Sequence, residues 1–203
     1  MLQYETIEPG TLQLLKALQG LQEFKDTRLV GGTALALQLG HRSSVDLDFF
    51  GTIPIPSEEI RDVLESAHSV TVDKESRNIN IYQVDGVKVD FVNYRYAWLD
   101  DPVSEDGIVL AGVRDIAAMK IAAIIGRGTK KDFIDLYFLL QRFSLQEILN
   151  LYMQKYPDGS LFIALKSLSY FEDAETDPMP RMFIPTDWDD VKARIRVAVR
   201  EMV

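Results

Sequence analysis

The chain has 203 residues, a net charge of −9 and no cysteine, which excludes disulfides and thiolate metal sites and disfavours broad, sequence-independent DNA binding. No run approaches the ~18–20 apolar residues of a membrane span, and the opening MLQYETIEPG is neither basic nor apolar enough for a signal peptide, so the expected compartment is the cytoplasm. At 47% hydrophobic and 26% charged residues, the composition suits one domain with a real core, or a compact domain with a helical extension.

In chain order, Pro9-Gly10 followed by Leu12, Leu15, Leu18 and Leu21 predicts an amphipathic helix over 10–24. Arg28 to Val30 reads as a short strand running into Gly31-Gly32, and Thr33 to Leu39 as a helix stopped by Gly40. Val45 to Phe50 alternates like a strand. Ile53-Pro54-Ile55-Pro56 breaks it, and Ser57-Glu58-Glu59 opens a helix to about Ala67. Val70–Lys74, Asn78–Val84 and Val87–Asn93 read as strands, the last two joined by the hairpin signal Asp85-Gly86. A further short strand is expected at Ile108–Ala111. Helical patterns then fill 113–127, 130–142, 144–156, 160–170 and 187–202. The Asp173–Pro185 stretch, with three prolines and several acids, is the linker candidate. The expected class is α+β: a mixed sheet core over 1–112, with its N-terminal helix, and a helical part over 113–203 packed on that core.

Charged residues on apolar strands carry the chemical signal. Alternation puts Asp46 and Asp48 on one face, about 7 Å apart along the backbone, with Val45, Leu47 and Phe49 on the other. In Val87-Lys88-Val89-Asp90-Phe91, Lys88 and Asp90 likewise share the polar face. If these strands are neighbours, three carboxylates meet on one patch, which repels itself unless protons or cations neutralise it. All-oxygen ligands point to Mg²⁺ or Mn²⁺. A solvated sheet face explains Asp90 alone, but it is weaker for Asp46 and Asp48, because Phe50 shares their face.

Gly31-Gly32 lies between a strand and a helix, where missing Cβ atoms let backbone N–H groups approach a phosphate. Further on, Lys120 falls within an apolar stripe of Val113, Ile116, Ala117 and Ile124. It must snorkel, pair with an acid or reach into a cleft. Phosphate contact, helped by Arg127, is the preferred reading. Thr129-Lys130-Lys131-Asp132 has the form of a capping box, giving Asp132 a structural role. Asp135 has no such explanation and is a candidate to anchor Lys120 or to assist a nucleophile. His41, Arg42, Ser43 and Ser44 occupy a loop beside the glycines. Tyr94, Tyr96 and Trp98 offer either a stacking surface or core packing, and His68 has no visible partner. Charge is also uneven: five basic residues against three acidic ones between Arg114 and Asp135, and seven acidic against the single Arg181 between Phe171 and Asp190. A basic site on an acidic body fits a small anionic ligand.

Gly31-Gly32-Thr33, Asp46-x-Asp48 and a lone Asp90 on a later strand resemble the motif of the nucleotidyltransferase superfamily. The longer run GGTALALQLGHRSSVDLDFF, with Lys120 and DFIDLYFLL downstream, resembles more narrowly the AbiEii/AbiGii toxin family, over roughly residues 25–140. The resemblance implies the nucleotidyltransferase fold, with helices flanking a mixed sheet. It further implies the toxin of a type IV toxin–antitoxin pair, with MenT-like relatives that transfer nucleotides to tRNA. It carries the metal-binding acids onto Asp46, Asp48 and Asp90, the lysine motif onto Lys120 and the Asp-x-x-Asp motif onto Asp132 and Asp135. The implied reaction moves an NMP from an NTP to an acceptor hydroxyl. Catalytic candidates are Asp46, Asp48, Asp90, Lys120 and Asp135. Nucleotide-binding candidates are Gly31, Gly32, Thr33, Arg42, Ser43, Lys120, Arg127 and Asp132. The implied partners are an NTP, Mg²⁺ or Mn²⁺, an acceptor such as tRNA or another hydroxyl-bearing molecule, and a cognate antitoxin. Three alternatives stay open: a degenerate nucleotide-binding protein acting through a partner, a small-molecule-modifying nucleotidyltransferase, and a structural domain without a ligand. The helical tail looks shorter than in many members, which leaves the acceptor unassigned.

Overall fold

Alternating apolar side chains assemble β1 (Thr27–Leu29), β2 (Leu47–Gly51), β3 (Val70–Lys74), β4 (Ile79–Val84), β5 (Val87–Asn93), β6 (Val103–Glu105) and β7 (Ile108–Leu110) into one mixed sheet in a computed structural model that describes residues 1–202. The strand order is β3-β4-β5-β2-β1-β7-β6. The central pair β2 and β5 runs parallel, and both β1 beside β2 and β4 beside β5 are antiparallel. On one face Leu47, Phe49, Val89 and Phe91 are fully buried, and Phe24 stacks on Phe91 with ring centroids 4.3 Å apart. Burying each such side chain is worth roughly 1.5–3 kcal/mol, which fixes the register of the strands that carry them. The same register turns Asp48, Phe50 and Asp90 to the opposite face.

The helices are α1 (Pro9–Gln19), α2 (Gly31–Leu39), α3 (Ser57–Glu65), α4 (Val113–Gly126), α5 (Lys130–Leu139), α6 (Leu145–Lys155), α7 (Leu161–Leu168), α8 (Glu172–Glu175) and α9 (Trp188–Arg200). Helix α4 packs against α2, α5, α6 and α7 and lies over the Asp48 face of the sheet. No helix among the described residues is long and apolar enough to cross a membrane.

Several boundaries differ from the sequence expectation, each for a local reason. Helix α1 ends before Gly20, and a separate 3-10 turn over Gln22–Phe24 then delivers Phe24 into the core. Helix α2 begins at Gly31, so the glycines form its first turn instead of a loop ahead of it. Strand β2 starts only at Leu47, which leaves Asp46 outside the pleat. Strand β6 was not expected, although Asp106-Gly107 between Glu105 and Ile108 is a second two-residue turn of the Asp85-Gly86 kind. His68 does have a partner: its Nδ1 lies 2.7 Å from Asp85 Oδ2. The Asp173–Pro185 stretch does more than link helices. Its Met182 forms a β-bridge with Arg42, Ser43 N–H donates to the Arg181 carbonyl at 2.8 Å, and Phe183 N–H donates to the His41 carbonyl at 2.9 Å.

Candidate active site

Because β2 and β5 are parallel and in register, Asp48 and Asp90 are direct neighbours across the two strands, whose backbones lie about 4.8 Å apart. Burial first, and the Asp90 charge second, push the Asp48 carboxyl up to about 6, with Asp46 adding to the effect and Lys88 and Lys120 opposing it. Lys88, two residues before Asp90 on the same face, places Nζ 2.8 Å from Asp90 Oδ1. Burial opposes the Lys88 ammonium, but Asp90, Asp48 and Asp46 outweigh it and hold the group charged.

The glycine turn closes over this pair. Gly31 has φ +70°, and a Cβ built there would collide with Asp48 Oδ2. Only glycine tolerates both the left-handed backbone and that approach. At Gly32 a Cβ would stand 2.5 Å from a guanidinium nitrogen of Arg42. Helix α2 has no capping side chain at its N-terminus, so its first-turn N–H groups are available to an anion.

Behind the wall lies a buried ion network. Asp135 accepts from Arg42 Nε at 2.7 Å and Nη2 at 2.8 Å, contacts His41 Nε2 at 2.8 Å, and pairs with Lys120 Nζ at 2.6 Å. Lys120 also donates to Asp132 at 3.0 Å, and Asp132 accepts from Arg127 at 2.9 and 3.1 Å and from the Thr129 hydroxyl at 2.7 Å. The Thr129–Asp132 capping box is present, as the sequence predicts. Burial works against the Asp135 carboxylate, but Arg42 and Lys120 together hold it well below the usual carboxylate range. Burial pushes His41 down, against the pull of Asp135, so its ring is neutral at pH 7. Three permanent cations (Arg42, Lys120, Arg127) therefore face two carboxylates, a surplus of one positive charge beside the Asp48–Asp90 pair.

A cavity of about 330 Å³ lies between this sheet face and α4. Gly31, Asp48, Asp90, Lys120 and Arg127 supply its polar lining, and Phe50, Met119 and Tyr156 are among its apolar ones. Asp46 lines an adjoining cavity of about 310 Å³ with Arg127, Thr129, Lys131 and Asp177. Strand β2 starts at Leu47, yet Asp46 stays near enough for its charge to act on Asp48, Lys88 and Arg127. Among the described residues no group of three or more His, Asp or Glu side chains could hold a metal ion as they stand. Even so, two adjoining carboxylates on neighbouring strands, with the Asp46 charge acting on them from beside, are features a divalent cation would satisfy.

The remaining sequence candidates are turned inward. The Thr33 hydroxyl donates to the Asp46 carbonyl and shares a 2.9 Å hydrogen bond with Ser44 Oγ, which fixes the segment entering β2. Arg42 is 2% exposed and committed to Asp135; it steadies Lys120 and does not line the cavity. Ser43 contributes its backbone to the Arg181 contact. Tyr94 packs on Tyr96 and Trp98, the core-packing alternative. Sequence reasoning missed Lys88 as counter-ion, although its two-residue spacing from Asp90 signals a shared face. It also missed Tyr156, whose hydroxyl lies 2.9 Å from that of Tyr94; no local pattern announces it.

The site thus sets paired strand carboxylates beneath a glycine turn, with a lysine-bearing helix across the cleft. The family described as nucleotidyl transferase AbiEii toxin, type IV TA system, matches residues 13–201, and the chain belongs to it. It is 37% identical over 195 residues to an uncharacterized protein, aq_aa25, from Aquifex aeolicus (strain VF5), covering 93% of this chain and 94% of that one. In fold it is similar to MenT4, the nucleotidyltransferase toxin Rv2826c from Mycobacterium tuberculosis H37Rv, with a TM-score of 0.66 and 20% identity over 92% of this chain and 79% of that one. JHP933 from Helicobacter pylori has a TM-score of 0.61 and 20% identity over 97% of this chain and 93% of that one.

Proposed function

We propose that the protein transfers an NMP from an NTP to an acceptor hydroxyl, in the cytoplasm, with Mg²⁺ or Mn²⁺ held by Asp48 and Asp90 and with Asp46 contributing from beside them. The observation that carries this reading is the in-register Asp48–Asp90 pair under Gly31. The first turn of α2 receives a phosphate through its N–H groups. Lys120 and Arg127 offset charge on the phosphates as it grows in the transition state, and Asp132 and Asp135 hold the Lys120 ammonium in place. Bound at the carboxylates, the cation would lower the pKa of the acceptor hydroxyl and screen the phosphates. Asp90 would take the hydroxyl proton as the acceptor oxygen bonds to the α-phosphorus and the α–β anhydride breaks, with pyrophosphate as the leaving group. Phe50, Met119 and Tyr156 give the nucleoside an apolar wall. The acceptor in this reading is tRNA, supported by the exposed cations Arg127 and Lys131 on an otherwise acidic body, and a cognate antitoxin is the protein partner.

The test is a screen of labelled NTPs against total tRNA, protein and small-hydroxyl acceptors. Label should pass to tRNA with Mg²⁺ or Mn²⁺ and vanish in Asp48→Asn. Label on a small hydroxyl alone moves the protein to the drug- or sugar-modifying class. NTP binding without any transfer makes it a degenerate nucleotide-binding protein.

A further inference from the structure

A second cavity, about 650 Å³, opens where the C-terminal end of α4 meets α7 and the turn leading to α8. It shares Gly126 and Arg127 with the Asp48–Asp90 cavity, so Arg127 borders both. Its wall is unusual for this chain. Phe162 is 76% exposed and Tyr170 49% exposed, and both line it. A phenyl ring left mostly in water gains nothing from folding. Cations stand next to these rings: Lys166 has no ion-pair partner among the described residues, and Arg127 spends only Nε and Nη2 on Asp132. Asp173, held by the Tyr170 hydroxyl at 3.2 Å, adds an acceptor.

We propose that this second cavity is the acceptor subsite and grips an unpaired nucleotide of an RNA strand next to the hydroxyl that is modified, its base on Phe162 and Tyr170 and its phosphate at Lys166 and Arg127. The inference rests on the transferase reading above and adds where the acceptor sits. Exposed rings interleaved with cations are the combination that binds single strands, because every unpaired base offers a flat face and every linkage a charge. A duplex hides those faces. The net charge of −9 repels a long polyanion, so recognition is confined to the few nucleotides that reach this local cationic rim.

The experiment is fluorescence anisotropy with a 5′-labelled single-stranded oligoribonucleotide and the matching duplex, in EDTA and without NTP. Wild-type protein should bind the single strand in preference to the duplex. Phe162→Ala should weaken binding about tenfold or more, Phe162→Tyr should restore it, and the thermal shift produced by NTP with Mg²⁺ should be unchanged in both. Equal binding by wild type and Phe162→Ala overturns the proposal. So does a lost NTP shift in Phe162→Ala, which gives the cavity to the donor base. Self-association that disappears in Phe162→Ala, with no oligonucleotide binding, gives the face to a protein contact and also overturns it. Asp48 takes no part in this binding, so the two readings fail separately. Single-strand binding through Phe162 without any transfer defeats the transferase and keeps the subsite. Labelling of a small hydroxyl without RNA binding does the reverse.

Discussion

Arg42 and Asp135 lie 93 residues apart in sequence yet meet through two parallel hydrogen bonds of 2.7 and 2.8 Å, both side chains buried. The pair ties the loop after α2 to the middle of α5, and Lys120 joins it from α4 at 2.6 Å. One carboxylate thus fixes the loop behind the glycine turn and the lysine that enters the cavity.

Asp135→Asn should therefore lose on the order of 3–5 kcal/mol of stability, because it strands two buried cations. Urea unfolding at pH 7 measures this. The folded-state Asp135 pKa lies well below its unfolded value, so its contribution is present above about pH 4 and fades as pH falls toward the folded value. The gap between wild type and variant should narrow in strong acid.

Asp48→Asn has the opposite sign. The Asp48 carboxyl is raised from 3.8 to about 6, so its protonated form stabilises the fold below pH 4 and that contribution is lost as pH rises through 6. In metal-free buffer at pH 8 the variant should be more stable than wild type, by at most about 3 kcal/mol. The difference should disappear near pH 4, and thermal melts across that range decide it. Added Mg²⁺ should raise the wild-type melting temperature and leave the variant where it was.

Arg127→Ala removes a side chain that is 64% exposed. Asp132 keeps Lys120 and the Thr129 cap, so the fold should hold and the melting temperature should move by a few degrees at most. The thermal shift on adding NTP should nearly vanish. A variant that keeps the full shift takes Arg127 out of the nucleotide site.

Gly31→Ala puts a methyl group into the Asp48 carboxylate at a positive φ. The backbone term alone costs about 1–2 kcal/mol, and relief of the clash displaces Asp48 from Asp90. Transfer activity should fall at least a hundredfold while far-UV circular dichroism is retained. Isothermal titration with Mn²⁺ should show the weakened cation site directly.

Much of this site was legible because strands and helices repeat. Asp48 and Asp90 follow from period-two alternation, Lys120 from its place in an apolar stripe, and Asp132 from a three-residue capping signal. What failed was whatever depends on where an element stops or on a distant partner. The start of β2 fell at Leu47, two residues later than Val45. Arg42 read as a loop cation for the nucleotide because its partner Asp135 lies on another helix. Phe162 drew no separate reading within the 160–170 helix, since a pattern cannot say that one ring of a hydrophobic stripe is left uncovered. Strand β6 was overlooked for a different reason: it is three residues long, too short for alternation to register.

The contacts of residues 181–184 with His41, Arg42 and Ser43 impose an order on synthesis. A ribosome releases the glycines and all three aspartates when barely half the polypeptide exists, yet the backbone that clasps the Arg42 loop arrives some 90 residues after Asp90. Nascent chains therefore carry the acids long before the framework that aligns them is complete. Any agent that unclasps residues 181–184 from the finished fold would return the centre to that unfinished condition without touching a single carboxylate.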